Sequence, residues 1–370
     1  MKTISISTPW FSPAFKAGGP IQSITNLVNS FNKEITYRIH CGNTDLDNKA
    51  ILNIETDKWI KYNNCTEVFY HKKKGLQYFV NKWRSENNYN TLFIIGIYSL
   101  KYNIIPLLFS SSNNIILSVR GMLHPGALSQ KPFKKKIFLT FLKLISIQKR
   151  IAFHATDDAE KLFIQNIFGN KSKIHVAGNY PKLINPNKII YKEKGLLKLI
   201  TIALISPMKN HLLVLESLLL CQGKIEYHII GAVKDQSYWQ TCLRIIEKMP
   251  SHIKVIIHGE VDPLNISTYL SEADVFIMPS KSENYGHAII EALSGGKPVI
   301  TSRHTPWNKL KENKAGLNVE VNPIEIKNAI DFFVNQNNEE YHEYSKSTLD
   351  YSKNAINKEE LDLQYKKMFF

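Results

Sequence analysis

Short apolar runs alternate with helix-like segments along most of the chain, and this alternation limits the fold more than any other feature. Runs of this length and composition are typical of buried parallel strands, which need a crossover connection between each pair. In the first half a strand is expected at residues 2–7, and short apolar runs recur at 35–40, 67–70, 91–97, 114–119 and 151–155. Helical segments are expected in the gaps, beginning with 21–31. The pattern therefore predicts a parallel sheet covered by helices on both faces.

The second half repeats this scheme, and 370 residues are enough for two domains. Strands are expected at 197–205, 225–230, 253–258 and 275–278, and helices at 208–220, 236–249, 263–271 and from 324 to the end. The domains predicted are 1–180, a linker at 181–197, 198–350, and a C-terminal helix at 351–370 that could return to the first domain. Ligands bind at the carboxyl ends of such strands, so we expect both domains to face a shared cleft.

Composition places the chain among globular proteins, with 44% hydrophobic and 21% charged residues. It has no run of about 18 apolar residues, and its first nine residues are too few and too polar for a signal peptide. The four cysteines have no C-x-x-C spacing. We therefore expect a cytosolic protein with reduced thiols, and neither a metal nor another cofactor.

Positive charge is concentrated in the first half. The net charge is +15; residues 1–180 carry 24 Lys and Arg against 10 Asp and Glu, and the remainder carry 23 against 22. Such a field suits nucleic acid, anionic lipid or a phosphorylated substrate, although solvated lysines remain an alternative. Residues 131–150 hold seven basic residues, no acidic one, and several large apolar residues. Lys136, Lys143 and Arg150 would form one stripe on a helix, which fits either a membrane-surface helix or a core helix with a basic face.

Residues 279–301 are the best candidate for a chemical site. A polar loop follows the apolar run 275–278, a helical pattern begins after Gly286, and Gly295-Gly296 ends it. Glu283 lies in the loop and Glu291 about one turn inside the helix. A helix N-terminus binds anions, phosphates in particular, because its first N–H groups have no partner within the helix. The two glutamates would then lie beside the chemical group to which that phosphate is attached.

Other candidates follow strands elsewhere in the chain. Gly18-Gly19-Pro20 precedes a helix and could allow close backbone approach to a ligand. Arg120 follows a strand and could clamp an anion, and Lys209 could neutralise a pyrophosphate. His154 is at least as consistent with a packed core histidine as with a ligand contact.

Asp45-Leu46-Asp47 is a D-x-D sequence in a polar run. Because D-x-D is common by chance, we interpret it as a solvated loop and infer no metal from it.

The sequence resembles retaining glycosyltransferases of family four, which have the two-domain GT-B fold. The most specific resemblance is the E-x7-E motif from Glu283 to Glu291, with the Ala-Leu-Ser-Gly-Gly-Lys-Pro-Val-Ile that follows it. Thr305-Pro-Trp307 is similar to bacterial surface-polysaccharide members, as are the segments 230–239, 119–123 and 153–156. The resemblance extends over nearly the whole chain.

This resemblance implies a metal-independent transferase whose donor is a nucleotide-sugar. Glu283 would contact the donor sugar and Glu291 the ribose. The backbone from Asn284 through Tyr285 and Gly286 to His287 would meet the β-phosphate. Lys209 would neutralise the pyrophosphate.

In the first domain, the Gly18-Gly19 loop would close on the donor, and Arg120 and His154 would lie on the acceptor or phosphate side. The implied acceptor is a lipid-linked oligosaccharide or polysaccharide, as in lipopolysaccharide or capsule synthesis. The basic first domain would hold the protein at the inner face of the membrane.

The sequence departs from the family pattern at two positions. The usual G-R-L-x-x-x-K pattern has arginine where this chain has Leu204, so half of the phosphate clamp is missing; Arg303 is a remote substitute. Many relatives also have a histidine where this chain has Arg120-Gly121.

UDP is the favoured donor nucleotide. The alternatives are a nucleotide-sugar epimerase, a sugar-phosphate synthase or, less favoured, a nucleic-acid-binding protein.

Overall fold

The computed structural model describes residues 1–31, 34–51, 53–129, 131–185 and 191–370. The chain divides into two compact units. Unit 1 comprises Met1–Tyr180 and Lys358–Phe370, and unit 2 comprises Pro181–Asn357. Residues 186–190 of the predicted linker lie outside the described residues.

Unit 1 is built on an eight-stranded sheet with the strand order β3-β4-β2-β1-β5-β6-β7-β8. Its strands are β1 (Lys2–Ser7), β2 (Ile35–Gly42), β3 (Trp59–Asn63), β4 (Thr66–His71), β5 (Thr91–Ile95), β6 (Ile115–Ser118), β7 (Ala152–Ala155) and β8 (Ile174–Val176). Every pair is parallel except β3 with β4. The parallel sheet is therefore as predicted, but β3 lies in a gap where a helix was expected.

The helices of unit 1 lie between these strands in sequence, with one more from the end of the chain. They are α1 (Gly19–Ser30), α2 (Leu76–Ser85), α3 (Ile105–Phe109), α4 (Pro125–Leu128), α5 (Pro132–Leu144), α6 (Asp158–Phe168) and, from the end of the chain, α13 (Lys358–Phe369). A short 3-10 turn, Ile147–Lys149, separates α5 from β7. Arg150 lies beyond α5, so the predicted helical stripe of three basic residues is wrong at that position.

The last helix completes the core of unit 1. Tyr365, Met368 and Phe369 of α13 are buried in the same apolar cluster as β1 and α1. The Phe369 ring lies 5.5 Å from that of Phe93 on β5. A polar contact also holds α13 in place, since the Tyr180 hydroxyl donates to Asp362 Oδ1 at 2.5 Å. Residues from both ends of the chain therefore share one core.

Unit 2 is built on a six-stranded parallel sheet with the order β11-β10-β9-β12-β13-β14. Its strands are β9 (Leu196–Ile202), β10 (Lys224–Ile230), β11 (Ile253–Gly259), β12 (Val275–Met278), β13 (Val299–Ser302) and β14 (Gly316–Val319). Its helices are α7 (His211–Leu218), α8 (Gln236–Ile246), α9 (Ile266–Glu272), α10 (His287–Ser294), α11 (Pro323–Val334) and α12 (Asn338–Ala355).

β12 and α10 lie in the interior of unit 2 because they consist mainly of apolar residues. All residues of β12 and β13 are buried, and α10 buries every residue but Ala288. A helix that is apolar on nearly all sides needs cover on both faces. The buried apolar residues of α10 join one cluster with β12, and Tyr351 of α12 also packs against that cluster. The loop that enters α10 is thereby held on a rigid base.

All four cysteines are free thiols. Within the ranges that the structure describes, no helix combines the length and the apolar character that a bilayer crossing requires.

Candidate functional site

Two loops of unit 2 lie side by side because they follow neighbouring parallel strands, β9 and β12. The Lys281 N–H donates to Met208 O at 2.9 Å, and the Asn210 amide donates to Pro279 O at 3.1 Å. Asn210 has a φ of 66°, in the left-handed region that asparagine tolerates better than most residues. The sequence prediction gave Asn210 no role, although an asparagine just before a helix is a recognisable signal. These bonds join residues 206–210 to residues 279–286.

Lys209 and Glu283 meet where these loops adjoin. The Lys209 ammonium donates to Glu283 Oε1 in a charge-assisted hydrogen bond. The Glu283 side chain is only 9% exposed and that of Lys209 24%. The Glu283 N–H donates to His304 O at 3.1 Å, which fixes the backbone of the loop. The structure thus brings together the two residues proposed for catalysis.

The same loop ends at the N-terminus of α10. Gly286 has a φ of 76°, in the left-handed region that favours glycine, and a Cβ there would lie 3.0 Å from Ile289 Cδ1, so that this side chain would have to shift. The Trp307 indole N–H donates to Tyr285 O. The Tyr285 ring lies 5.5 Å from the ring of Trp307 and 4.8 Å from that of His287. Trp307 therefore shapes the loop, a role that the sequence prediction did not assign.

Glu291 is buried one turn further along α10. Its side chain lies in the apolar surroundings of the helix, and this burial raises the pKa of the carboxyl to about 7, against a smaller opposing effect of Lys182. Asn284 is exposed, whereas His287 is buried. Near neutral pH the Glu291 carboxyl is thus partly protonated, so it can either accept a hydrogen bond from a ligand hydroxyl or donate one to it.

In unit 1, Gly18 and Gly19 form the entry to α1. Gly18 has a φ of 65° and caps the helix. The preceding loop is held by Asp45, whose carboxylate accepts hydrogen bonds from the Phe15 N–H at 2.9 Å and the Lys16 N–H at 3.1 Å. Asp45 is 6% exposed, so the expectation of a solvated loop is wrong for this residue. The deciding contact is about thirty residues away in sequence, and therefore local sequence did not indicate it.

Arg120 follows β6 in a left-handed conformation with a φ of 48°. Its Nη1 donates to Asn179 Oδ1. Its Nε and Nη2 are buried and form no hydrogen bond of good geometry within the part of the chain that the structure describes. Burial raises the pKa of Tyr365, and the Arg120 guanidinium, which interacts with that hydroxyl, opposes this effect. The carboxylate of Glu160 is occupied elsewhere, because it accepts from the backbone N–H groups of Gly121 and Thr156. The guanidinium is therefore suited to an anionic partner.

His154 lies at the centre of the unit 1 core. It is fully buried, and its ring contacts the Ser118 hydroxyl through Nδ1 at 2.7 Å and Ala177 O through Nε2 at 2.8 Å. Burial, followed by the nearby Arg120, lowers its pKa to about 3. The placement favours the packed core histidine over a ligand contact.

The arginine that the family pattern predicts at Leu204 has no counterpart at Arg303, which pairs with Glu320 at 3.0 Å and is well exposed. Two lysines flank the Lys209 loop instead. The Lys234 N–H donates to Ile205 O at 3.0 Å from one side, and the Lys281 N–H donates to Met208 O from the other. Both lysines belong to loops at the carboxyl edge of the sheet, so each is placed to add positive charge there.

The candidate residues are divided between the units. Lys209, Glu283–His287 and Glu291 belong to unit 2, whereas Gly18, Gly19, Arg120 and His154 belong to unit 1. Across the described ranges, no group of three or more His, Cys, Asp or Glu side chains is arranged to hold a metal ion.

Two doubly wound α/β units, with candidate residues on the loops after the strands, define the GT-B class of glycosyltransferase folds. Residues 186–351, most of unit 2, match the family model "Glycosyl transferases group 1". That segment is similar to group 1 glycosyl transferases, and the resemblance seen in the sequence is confirmed. A family-four member is consistent with this assignment.

Individual relatives are similar to this chain only over a short segment or at low identity. The sulfoquinovosyl transferase SQD2 of Arabidopsis thaliana is 30% identical over 89 residues, which are 24% of this chain and 17% of that protein. An uncharacterized 41.2 kDa protein in the cps region of Klebsiella pneumoniae is 23% identical over 249 residues, 59% of this chain and 66% of its own length. The chain thus spans about a sixth of the first relative and just under two thirds of the second.

Solved structures agree over the whole chain. Anabaena HepE, determined in complex with UDP and glucose, superposes with a TM-score of 0.72 at 14% identity, covering 99% of both chains. At this identity the comparison shows the fold alone.

Proposed function

We propose that the protein is a retaining glycosyltransferase that moves a sugar from a UDP-sugar to a lipid-linked oligosaccharide or polysaccharide. The ion pair of Lys209 and Glu283 beside the N-terminus of α10 carries this proposal. It combines a cation for a leaving pyrophosphate, a helix terminus for a phosphate and a carboxylate for a sugar in one place.

Each residue has a separate role in this mechanism. Lys209 neutralises charge on the leaving UDP, and the backbone N–H groups near His287 bind the β-phosphate. Glu283 contacts the hydroxyls of the donor sugar and stabilises the positive charge that develops on its ring. Glu291 binds the ribose hydroxyls.

Transfer proceeds on one face of the sugar. The bond from the anomeric carbon to the phosphate oxygen breaks, a bond to the acceptor oxygen forms, and the acceptor's proton passes to the leaving phosphate. Glu283 orients the sugar without forming a covalent intermediate, unlike the nucleophile of a retaining glycosidase. Helix dipole and lysines take the place of a metal ion, so no metal or other cofactor is required.

The donor and the pathway are supported by the relatives. HepE was determined with UDP and glucose, and the Klebsiella relative is encoded in a cps region. On this basis we assign the chain to surface-glycan synthesis, of the capsule or lipopolysaccharide type. Arg120, whose Nε and Nη2 are buried and form no hydrogen bond of good geometry among the described residues, would bind the phosphate of a lipid-linked acceptor.

One face of α5 provides the contact with the membrane. Phe133, Ile137, Phe141 and Leu144 recur at helical spacing and are 75%, 55%, 45% and 79% exposed. Lysines at 131, 134, 136 and 143 accompany them, and the helix has no acidic residue. An exposed apolar stripe with basic neighbours is typical of helices that lie on an anionic bilayer surface. The protein would therefore work at the cytoplasmic face of the membrane.

A thermal-shift panel of UDP-, GDP- and ADP-sugars tests the donor assignment. A ligand at a hundred times its Kd stabilises the folded state by about 2.7 kcal/mol, so the preferred donor should raise Tm measurably. Incubation with acceptor, followed by NMR of the anomeric signal, then tests retention. An inverted product would reject the mechanism. Conversion of the UDP-sugar in the absence of acceptor would instead indicate an epimerase.

A further inference from the structure

A polar cavity lies in unit 1, at the amino edge of its sheet. The cavity has a volume of about 640 Å³, within the ~300–1,000 Å³ typical of small-molecule sites. Its walls are the segments that lead into β6, β7 and β8, three neighbouring strands. The loops that carry Gly18 and Arg120 follow strands and so lie at the opposite edge. The cavity is therefore separate from the proposed transferase site and does not depend on it.

The charged residues that line this cavity are all basic. Lys149 and Arg150 come from the segment before β7, and Lys171 and Lys173 from the segment before β8. The C-terminus of α6 at Phe168 is nearby and contributes about half a negative charge at most. Four full positive charges exceed this by a wide margin. A concave site with one sign of charge concentrates ions of the opposite sign.

Arg150 is held in place by the protein. Its Nη1 donates to Leu108 O at 3.3 Å and its Nη2 to Ser110 O at 2.8 Å. A guanidinium fixed in this way keeps its charge at the cavity without loss of side-chain freedom when a ligand arrives.

Two further lining residues carry buried oxygens that need partners. Gln148 Oε1 and Ser172 Oγ are buried, and within the described residues neither forms a hydrogen bond. Buried polar atoms of folded proteins are nearly always hydrogen-bonded, to protein, water or ligand. A serine hydroxyl can donate to a phosphate oxygen, and a glutamine can serve as acceptor or donor to the rest of a ligand.

We propose that this cavity binds a compact phosphorylated ligand. Solvated surface lysines are a weaker explanation, because basic residues from two separate segments converge on one cavity beside two unsatisfied polar atoms. The ligand could be a free phosphorylated metabolite or the phosphate headgroup of an anionic lipid, since the exposed face of α5 leads directly into the turn at Ile147–Lys149. Both have the chemistry that the cavity recognises.

Calorimetric titration with sodium pyrophosphate tests the proposal on the full chain, in saturating UDP so that the donor site is filled. The variant K149Q/K171Q/K173Q removes three charges from the cavity. The control K61Q/K72Q/K73Q removes three exposed charges near β3 and β4, at the other end of the same sheet. A second arm measures sedimentation with phosphatidylcholine vesicles that contain phosphatidylglycerol.

Saturable pyrophosphate binding that the cavity variant weakens at least tenfold, and the control does not, supports a soluble ligand. Vesicle binding that depends on the cavity lysines, without pyrophosphate binding, supports a lipid headgroup. If neither ligand distinguishes the cavity variant from the control, the proposal is wrong. Melting curves of both variants check that each remains folded.

Discussion

The ammonium of Lys209 donates directly to the carboxylate of Glu283, across 74 positions of sequence. The pair exists because β9 and β12 are neighbours in the sheet, so that their loops emerge side by side. Through this hydrogen bond, each side chain fixes the position of the other. A pyrophosphate and a sugar that enter together would compete for the two partners, and the pair would then act as two separate contacts.

Glu283→Gln should lower kcat for sugar transfer by about 10²–10³-fold, the loss typical when one preorganised electrostatic group is removed. The amide keeps the shape but not the charge that, in the proposed mechanism, stabilises the sugar ring in the transition state. Initial rates with a UDP-sugar and acceptor measure the effect. Thermal shifts with UDP should persist, because the phosphate contacts remain.

Glu312→Gln serves as the matched control for that variant, since Glu312 is an exposed glutamate of the same unit. Its activity should equal that of the wild type. Transfer by Glu283→Gln at a normal rate would remove Glu283 from the mechanism.

Binding of UDP should become tighter as the pH rises through the pKa of Glu291, which is about 7. In the proposed contact the carboxylate accepts hydrogen bonds from both ribose hydroxyls, whereas the protonated acid has lost one acceptor and binds UDP much more weakly. About a tenth of the groups are ionised one unit below the pKa and about nine tenths one unit above it. We therefore expect an approximately tenfold decrease in Kd between pH 6 and pH 8, measured by calorimetry.

Glu291→Gln should bind UDP more weakly at pH 8 and show little of this pH dependence. A wild-type Kd that stays constant over the same range would contradict the proposed ribose contact.

Asp45→Asn should reduce kcat/KM by loosening the loop before Gly18. The neutral amide would accept the hydrogen bonds from the backbone N–H groups of Phe15 and Lys16 more weakly than the carboxylate does. Asp47→Asn is the control, because Asp47 forms an exposed ion pair with Lys16 and accepts from the Lys49 N–H at 3.1 Å within its own turn. Exposed ion pairs contribute about 0–1 kcal/mol.

Treatment with a chelator distinguishes the anchoring role of Asp45 from the binding of a metal by the D-x-D sequence. Wild-type activity should be unchanged in EDTA. A loss of activity that Mg²⁺ or Mn²⁺ restores would show that the aspartates, or other groups, hold a metal after all.

The double variant F133S/F141S should release the protein from vesicles that contain phosphatidylglycerol. Both phenylalanines lie on the exposed face of α5, and their side chains would supply apolar burial at the bilayer surface. Wild-type binding should also fall at high salt, because the lysines act through screened electrostatics. Sedimentation measures both effects.

Leu264→Ser is the control for membrane binding, since Leu264 is 81% exposed but isolated in unit 2. It should bind vesicles as the wild type does. If the wild type stays in the supernatant with anionic vesicles at low salt, the membrane role of α5 is wrong.

Periodicity in the sequence was sufficient to place the strands that are buried on both faces. β12 begins and ends where its apolar run does, because every residue of that strand is buried. β3 has no such run, and only its antiparallel pairing with β4 makes it a strand. β14 is four residues long and begins at Gly316, so its strand character also depends on its neighbour β13.

For the candidate site, motif spacing identified residues but not their supports. Glu283 and Lys209 were recognised from the loops that carry them. Asp45, Asn210 and Trp307 act through backbone groups that are distant in sequence, and no local pattern encodes such contacts.

The contribution of α13 to the core of unit 1 has a consequence for biosynthesis. Domains generally fold in the order in which the ribosome produces them. Here Met1–Tyr180 leave the ribosome first but lack the helix that covers Phe93, whereas unit 2 is continuous and can fold as soon as it is made. Unit 1 therefore waits with an incomplete core while 177 further residues are translated. During that interval, chaperones have their longest access to the nascent chain.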